Sequence, residues 1–401
     1  MRLIIQCSFV LSLLMYNFSA VQGHCTVSVK KDLPPKVPLI LNSNGPGFRY
    51  PDNSGIFHYS RGDQVRLVCN GQDNSFLNLS RTSAASDVMA ECVQDDLFKV
   101  LGEKKKFQDL GCRNAPSDEQ RTVGRCHPDS YVKYEIGFSF GDEFEKVIEV
   151  CHDPVKVLTA YSRYELVKEI GVTSGRPRSS FKVNRDHIID YEAQYKRNVQ
   201  IATMGRILDS ASLGMEYIKK TGNSYLARGH LAPNADFLYD FQKRATFYYI
   251  NQEPQWQRCN AQAWSYLESA VRKYANFLEK DLIVFTGVYG IDGLPDINNI
   301  YRELFLYFPN KGSKRAAIPV PRYFWKVIYD QHSQKAIAFV QVNTCCSNTL
   351  NPEDQLCDNP VTSERWAGIQ DYDCPTYACE VDELREKITI IPDFRVKGIL
   401  V

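Results

Sequence analysis

Hydrophobic and polar positions fall into distinct patterns along this chain. Gln64-Val65-Arg66-Leu67-Val68-Cys69 alternates with the two-residue period of a half-buried strand. Asp281 to Gly287 is instead a nearly continuous apolar run that ends in a turn, the pattern of a buried strand. Tyr323 to Tyr329 and Ala336 to Val342 are two more such runs. The polar link from Asp330 to Lys335 predicts that they form a hairpin. Val381 to Ile388 has helical character. Asn260 to Arg272 combines good helix formers with no Pro or Gly, so it too predicts a helix. Strands and helices are mixed without regular alternation. That favours an α+β fold over a doubly wound sheet. No internal repeat or low-complexity stretch interrupts the pattern.

The patterning also changes along the chain. Arg2 precedes a short, mostly apolar stretch from Leu3 to Met15, and Val21-Gln22-Gly23 offers a cleavage site. Residues 1–23 therefore read as a secretory signal peptide. The apolar run is too short and its flanks too polar for a membrane anchor, so a secreted, extracellular protein without a membrane partner is expected. Residues 24–150 are turn-rich at Pro34, Pro35, Pro38 and Asn42 to Gly47, and five cysteines lie from Cys25 to Cys126. They predict a small, disulfide-rich, mainly β module with no catalytic signature. Lys104-Lys105-Lys106 reads as a solvated loop. Residues 151–401 carry the longer elements.

Composition narrows the function. With 44% hydrophobic and 24% charged residues, a disordered or collagen-like chain is excluded. Lys plus Arg is 48 against 47 for Asp plus Glu, so any polyanion site must be a local basic patch. Of 13 cysteines, Cys7 leaves with the leader and an even number remains, which predicts up to six disulfides. No Cys-x-x-Cys pair occurs and Cys345-Cys346 is vicinal, which speaks against a zinc site. Asn78-Leu79-Ser80 is a glycosylation sequon.

Two segments carry candidate chemistry. Asn260, Trp264, Glu268 and Arg272 are spaced by four, so a regular helix projects them from one stripe. An amide, a carboxylate and a guanidinium there can serve a hard cation and an anion. The plainer reading is an N-cap Asn260 and a surface Glu268–Arg272 pair. The second segment is Leu226 to Phe237, where Gly229 permits a tight backbone between Arg228 and His230. A lone histidine is more often structural, and Asp186-His187 is assigned no role. Together the segments supply a neutral-pH base, hard oxygen donors for Mg²⁺ and arginines for phosphate oxygens. Phosphodiester hydrolysis needs that set.

Arg228-Gly229-His230 followed by Leu231-Ala232-Pro233 resembles the Asp-Arg-Gly-His signature of the DNA/RNA non-specific endonucleases. Asn251-Gln252-Glu253-Pro254-Gln255 is similar to that family's Asn-x-x-Pro-Gln stretch. Asn260 to Glu268 resembles its metal-binding helix, and Arg272 falls on a further family arginine. Ile318-Pro319 before Phe324 to Ile328 resembles a later core strand. The similarity spans about residues 151 to 395. Within the family the chain looks most like secreted arthropod nucleases that degrade double-stranded RNA, which share the Ala227-type variant and a cysteine-rich N-terminal extension. The resemblance implies a ββα-metal nuclease domain with a central antiparallel sheet over 151–401. It implies His230 as general base and Asn260 as ligand of Mg²⁺, with Mn²⁺ able to substitute. It implies Glu268 as holder of a water from the ion's shell, and Arg228 and Arg272 as phosphate contacts. Arg178, in Gly175-Arg176-Pro177-Arg178, aligns loosely with another phosphate-contacting arginine. The implied substrates are double-stranded RNA and DNA, cut without sequence preference to leave 5′-phosphate ends. Ala227 departs from the family's Asp, which puts the support of the metal's hydration in doubt. The alternative is a non-catalytic secreted nucleic-acid-binding protein on the same scaffold.

Overall fold

A computed structural model describes residues 24–79, 85–172, 177, 179–183, 189–309, 316–345, 349–362, 366 and 373–401. The apolar runs anticipated as buried strands lie side by side in one large sheet of nine strands. Its main path runs Thr376–Cys379, Lys335–Val342, Tyr323–Asp330, Leu282–Tyr289, Leu158–Leu166, Glu143–Asp153, Tyr131–Phe140 and Glu119–Cys126. Every neighbouring pair on that path is antiparallel. Tyr323 pairs with Val342 and Asp330 with Lys335, the hairpin that the polar link predicted. The short strand Gly398–Ile399 runs parallel to Lys335–Val342.

The central strand Tyr323–Asp330 is buried at all of its positions, because both faces of the sheet are covered. Phe324 and Ile328 pack toward Trp264, Leu267 and Val271 of a long helix. Trp325, Val327 and Tyr329 pack toward Leu384, Ile388 and Ile391 on the opposite side. A strand covered on both faces needs apolar residues at every step, which explains the continuous run in the sequence. The C-terminal helix forms over Val381–Lys387, as its pattern predicted. The fold is α+β.

The N-terminal residues form their own strands. His24–Ser28 pairs with Ile56–Ser60. A five-stranded sheet runs Leu39–Leu41, Gln64–Val68, Asp87–Gln94, Leu97–Val100 and Glu103–Lys106. The lysine run is therefore an edge strand and not a loop. Lys105 pairs with Glu103 at 3.0 Å and Lys106 with Asp96 at 3.0 Å, and such charges keep an edge from recruiting another strand. Disulfides Cys25–Cys92 and Cys69–Cys112 close this module on itself. Among the described residues, Cys126–Cys151, Cys259–Cys374 and Cys357–Cys379 staple the larger unit, and Cys345 is disulfide-bonded as well. The division placed at residue 150 falls within the strand Glu143–Asp153. The large sheet already takes in the strand Glu119–Cys126.

The two units share one core. Phe48 lies 6.2 Å from Phe138 and 5.6 Å from Phe241, centroid to centroid. Tyr50 stacks on Tyr239 at 5.7 Å. Gln242 Nε2 donates to the Tyr50 hydroxyl at 2.9 Å, and the Tyr239 hydroxyl donates to the Arg49 carbonyl. No helix among the described residues is long and apolar enough to cross a membrane.

Candidate active site

The Arg-Gly-His segment is the strand Leu226–His230, paired antiparallel with Gln252–Trp256. Arg228 faces Pro254, Gly229 faces Glu253 and His230 faces Gln252. Gly229 is required by space. A Cβ there would lie 2.5 Å from Gln255 Oε1 and 2.8 Å from Gln255 Cβ. Gln255 cannot readily yield, because its Nε2 donates to Gln341 Oε1 at 2.8 Å. Asn343 pins the same strand, accepting from Trp256 N at 2.8 Å and donating to the Pro254 carbonyl at 3.2 Å. Asn251 holds the other side. Its Oδ1 accepts from Ala232 N at 3.0 Å and from Ser162 Oγ at 2.8 Å, and its Nδ2 donates to the Ala232 carbonyl at 2.9 Å. The hairpin is thus bolted to the large sheet by buried amides.

A helical stretch follows directly. It opens with Gln257–Cys259, passes through one π turn at Asn260–Trp264 and continues as an α-helix over Ser265–Leu278. Two expectations are corrected here. Asn260 is not the N-cap, since Trp256 takes that place and Asn260 has helical backbone angles of −61° and −44°. Its side-chain amide has no hydrogen bond to the described residues and is partly exposed. The even stripe also fails. A wider i to i+5 turn inserts between Asn260 and Trp264 and changes the phase of the helix. Trp264 turns into the core against Phe324 at 5.7 Å, while Asn260, Glu268 and Arg272 stay half-buried.

The surface Glu268–Arg272 pair is not formed either. Arg272 Nη1 donates to Asp236 Oδ1 at 2.6 Å. Asp236 Oδ2 accepts from the Tyr164 hydroxyl at 2.5 Å. Asp236 is buried, six residues beyond His230, and sequence reasoning gave it no role. Its position in the quoted segment was the only signal. Glu268 and Asp236 share this region with Lys326, which is buried on the central strand. Burial pushes the Glu268 carboxyl up to about 7. Lys326 and Arg272 oppose that rise and Asp236 adds to it.

Arg228 and His230 stand among aromatic rings. The Arg228 guanidinium lies 4.8 Å over Tyr195, 5.3 Å over Phe181 and 5.7 Å over Tyr249, and its Nη2 donates to the Tyr249 hydroxyl at 3.4 Å. His230 sits between Phe181 and Phe247, each 5.2 Å away by ring centroids. Burial, and then the neighbouring Arg228 charge, lower its pKa to about 4, so the ring is neutral at neutral pH. Its Nε2 is buried and has no hydrogen-bond partner among the described residues. A neutral imidazole with a free nitrogen has the properties of a general base. Ala227 is buried opposite Gln255, so no carboxylate stands where the family has its Asp.

The structure thus joins the called residues into two groups. Arg228 and His230 share one strand, and Glu268 and Arg272 meet around Asp236. Asn260 begins the π turn of the helical stretch that follows the strand Gln252–Trp256, and among the described residues no hydrogen bond joins it to either group. Arg178 and the Asp186-His187 pair lie outside the described residues. Among the described residues, no cluster of three His, Cys, Asp or Glu side chains exists. The donor set is one free amide oxygen on a half-buried helix turn. That fits a hydrated Mg²⁺, which keeps most of its waters and takes few protein ligands.

A pair of strands carrying Arg-Gly-His, followed by a helix carrying Asn260 and laid on a wide antiparallel sheet, has the arrangement of a ββα-metal nuclease fold. The sequence model of the DNA/RNA non-specific endonuclease family matches residues 129–391. The chain belongs to that family of phosphodiester-hydrolysing enzymes. It is 32% identical over 222 residues to a salivary endonuclease of Lutzomyia longipalpis, covering 55% of this chain and 51% of the relative. The chain therefore spans about half the length of that relative. It is 24% identical over 354 residues to a salivary endonuclease of Culex quinquefasciatus, covering 85% and 82%. It is 22% identical over 407 residues to the salivary protein Tsal2A of Glossina morsitans morsitans, covering 95% of each. Among solved structures it is similar to EndoG in the EndoG/EndoGI complex. There the identity is 17%, the TM-score is 0.37, and the match covers 63% of this chain and 87% of that one.

Proposed function

We propose that the protein is a secreted, Mg²⁺-dependent endonuclease without sequence preference, acting on double-stranded RNA and DNA and leaving 5′-phosphate ends. The observation that carries this reading is the free, neutral His230 Nε2 beside Arg228 on the strand bearing the family's signature. His230 takes a proton from the attacking water at Nε2. Arg228 and Arg272 contact non-bridging phosphate oxygens and offset the negative charge that grows there. Glu268 holds a water on the leaving side, and that water gives its proton to the departing 3′ oxygen. Asn260 Oδ1 would hold the hydrated ion, which supplies positive charge at the phosphate when bound. The aromatic rings of Phe181, Phe247 and Tyr249 keep bulk water from the base and fix its orientation. Contacts confined to phosphates carry no base sequence, which supports broad substrate use.

The test is a gel assay of the purified secreted protein on double-stranded RNA and double-stranded DNA, with Mg²⁺ and with EDTA. His230→Ala runs alongside. Metal-dependent cleavage that falls by at least ~10² in the variant is expected, the usual scale for a positioned base. A wild-type protein that shifts the nucleic acid on the gel without cutting it is the non-catalytic binder, and the enzyme reading is then wrong.

A further inference from the structure

An ammonium group stands where an apolar side chain would serve the core better. Lys326 is fully buried at the middle of the central strand, between Trp325 and Val327. Burying an amine in its charged form is costly unless it is paired, and methionine fills a similar volume without that cost. The side chain lies on the sheet face covered by the helix Ser265–Leu278. Lys326 Nζ is 5.2 Å over the Trp264 ring and 5.9 Å over the Tyr164 ring. It donates one hydrogen bond, to Thr286 Oγ1 at 2.5 Å, from the residue directly across the strand pair. Its other two N–H donors have no protein acceptor among the described residues.

Four charged or titratable groups face Glu268. Lys326 acts on it from the strand Tyr323–Asp330 without a direct ion pair among the described residues, Asp236 from the segment after Leu226–His230, Tyr164 from Leu158–Leu166 and Arg272 from its own helix. Arg272 is committed to Asp236. Among the described residues Glu268 therefore has no ion pair of its own, and Lys326 is the buried cation nearest in influence to balance it. We propose that Lys326 is a positioning residue for the reaction, a buried counter-cation set beneath the helix Ser265–Leu278 that favours the charged carboxylate of Glu268. Two acids and two cations then balance in charge behind the phosphate site. The electrostatics agree in direction. Burial raises the Glu268 carboxyl and Lys326 is the largest opposing influence, while burial lowers Lys326 and Glu268 is the largest influence raising it.

This inference rests on the proposed role of Glu268, and the experiment separates the two. The pH profile of kcat is measured for wild type, Lys326→Met, Lys326→Arg, Glu268→Gln and the Lys326→Met/Glu268→Gln double variant, with thermal melting of each. Without the ammonium, Glu268 stays protonated to higher pH. The acid limb of Lys326→Met should move up by at least ~1 pH unit, with kcat near neutrality about tenfold lower and KM little changed. Lys326→Arg keeps the charge and should bring the limb most of the way back. In the Glu268→Gln background, Lys326→Met should add little. If the first variant fails to fold, Lys326→Gln carries the same prediction, since its amide can keep the Thr286 bond. A limb that stays in place in either neutral variant overturns this inference alone. Full turnover in Glu268→Gln overturns the role of Glu268, and the inference with it.

Discussion

Gly229→Ala tests whether the hairpin geometry sets the rate. The new Cβ would lie 2.5 Å from Gln255 Oε1, 2.8 Å from Gln255 Cβ and 3.1 Å from the Glu253 carbonyl. An ordinary contact is ~3.5 Å or more, so something must give by roughly 1 Å. Gln255 is held by Gln341, and its strand is held by Asn343. The easiest relief is for Leu226–His230 to lift from Gln252–Trp256, and that moves His230. Overpacking of this kind costs about 1–3 kcal/mol, partly offset by the ~0.4–1 kcal/mol that alanine gains over glycine in the unfolded chain. In a chain of this size that shifts Tm by only a few degrees, on the order of 1–4 °C. The rate should respond far more. A misplacement of about 1 Å at a reacting group costs on the order of 10²-fold. The assay pairs thermal melting with initial rates on a long double-stranded polynucleotide at saturating Mg²⁺. A small melting shift with a ~10²-fold loss of kcat is expected. Near-normal turnover would refute the claim that contact with Gln255 fixes the base.

Asn260→Ala should raise the Mg²⁺ concentration for half-maximal rate by at least ~10-fold, the scale seen when groups supporting a metal site are removed. An unchanged Mg²⁺ titration would remove Asn260 from the metal site. Glu268 supplies a stability test with a definite sign. Its folded pKa of about 7 lies above the unfolded value near 4.5, so the folded state binds the extra proton between those limits. Wild-type stability should therefore fall as pH rises from about 4.5 to 7, and Glu268→Gln should gain about 1–3 kcal/mol on wild type across that window in denaturant titrations. A pH-independent difference would show that the carboxyl is not shifted. A specific protease site placed in residues 113–118 tests the N-terminal module. The module's disulfides are internal, yet Phe48 and Tyr50 pack on the nuclease core. The clipped module should remain bound and the enzyme active, whereas release of the module with a gain in activity would identify a propeptide.

Much of this architecture was legible because its signals are local. The strands Tyr323–Asp330 and Lys335–Val342 announce themselves as apolar runs, and the polar link between them fixes the hairpin. Arg228, Gly229 and His230 are adjacent in sequence, so one strand carries them wherever it lies. What the sequence hid depends on distant partners. The lysine run looked solvated because its pairing strand, Leu97–Val100, was not evident. The residue-150 boundary followed cysteine density, but sheet pairing obeys hydrogen bonding, and Glu143–Asp153 joins strands on both sides of it. The four-residue stripe assumed a regular helix. A single π turn broke it, and no residue type in Asn260–Trp264 marks such a turn.

The charges around Glu268 show why supporting residues are harder to read than the groups they support. The plainer reading of the helix pairs Arg272 with Glu268, because four residues is the right helical spacing. Its guanidinium instead goes to Asp236, which comes from a loop 36 residues away in sequence. Two acids at one buried site cannot both stay ionised on one arginine without cost, so a second cation is needed. It comes from the sheet below the helix, where its neighbours along the strand, Trp325 and Val327, are apolar and a lysine looks like an interruption of the strand pattern. That interruption is itself informative. A charged residue inside a run that folds as a fully covered strand either loses its proton or finds an opposite charge across the core, and here Glu268 on the helix above is the largest influence favouring the charged form.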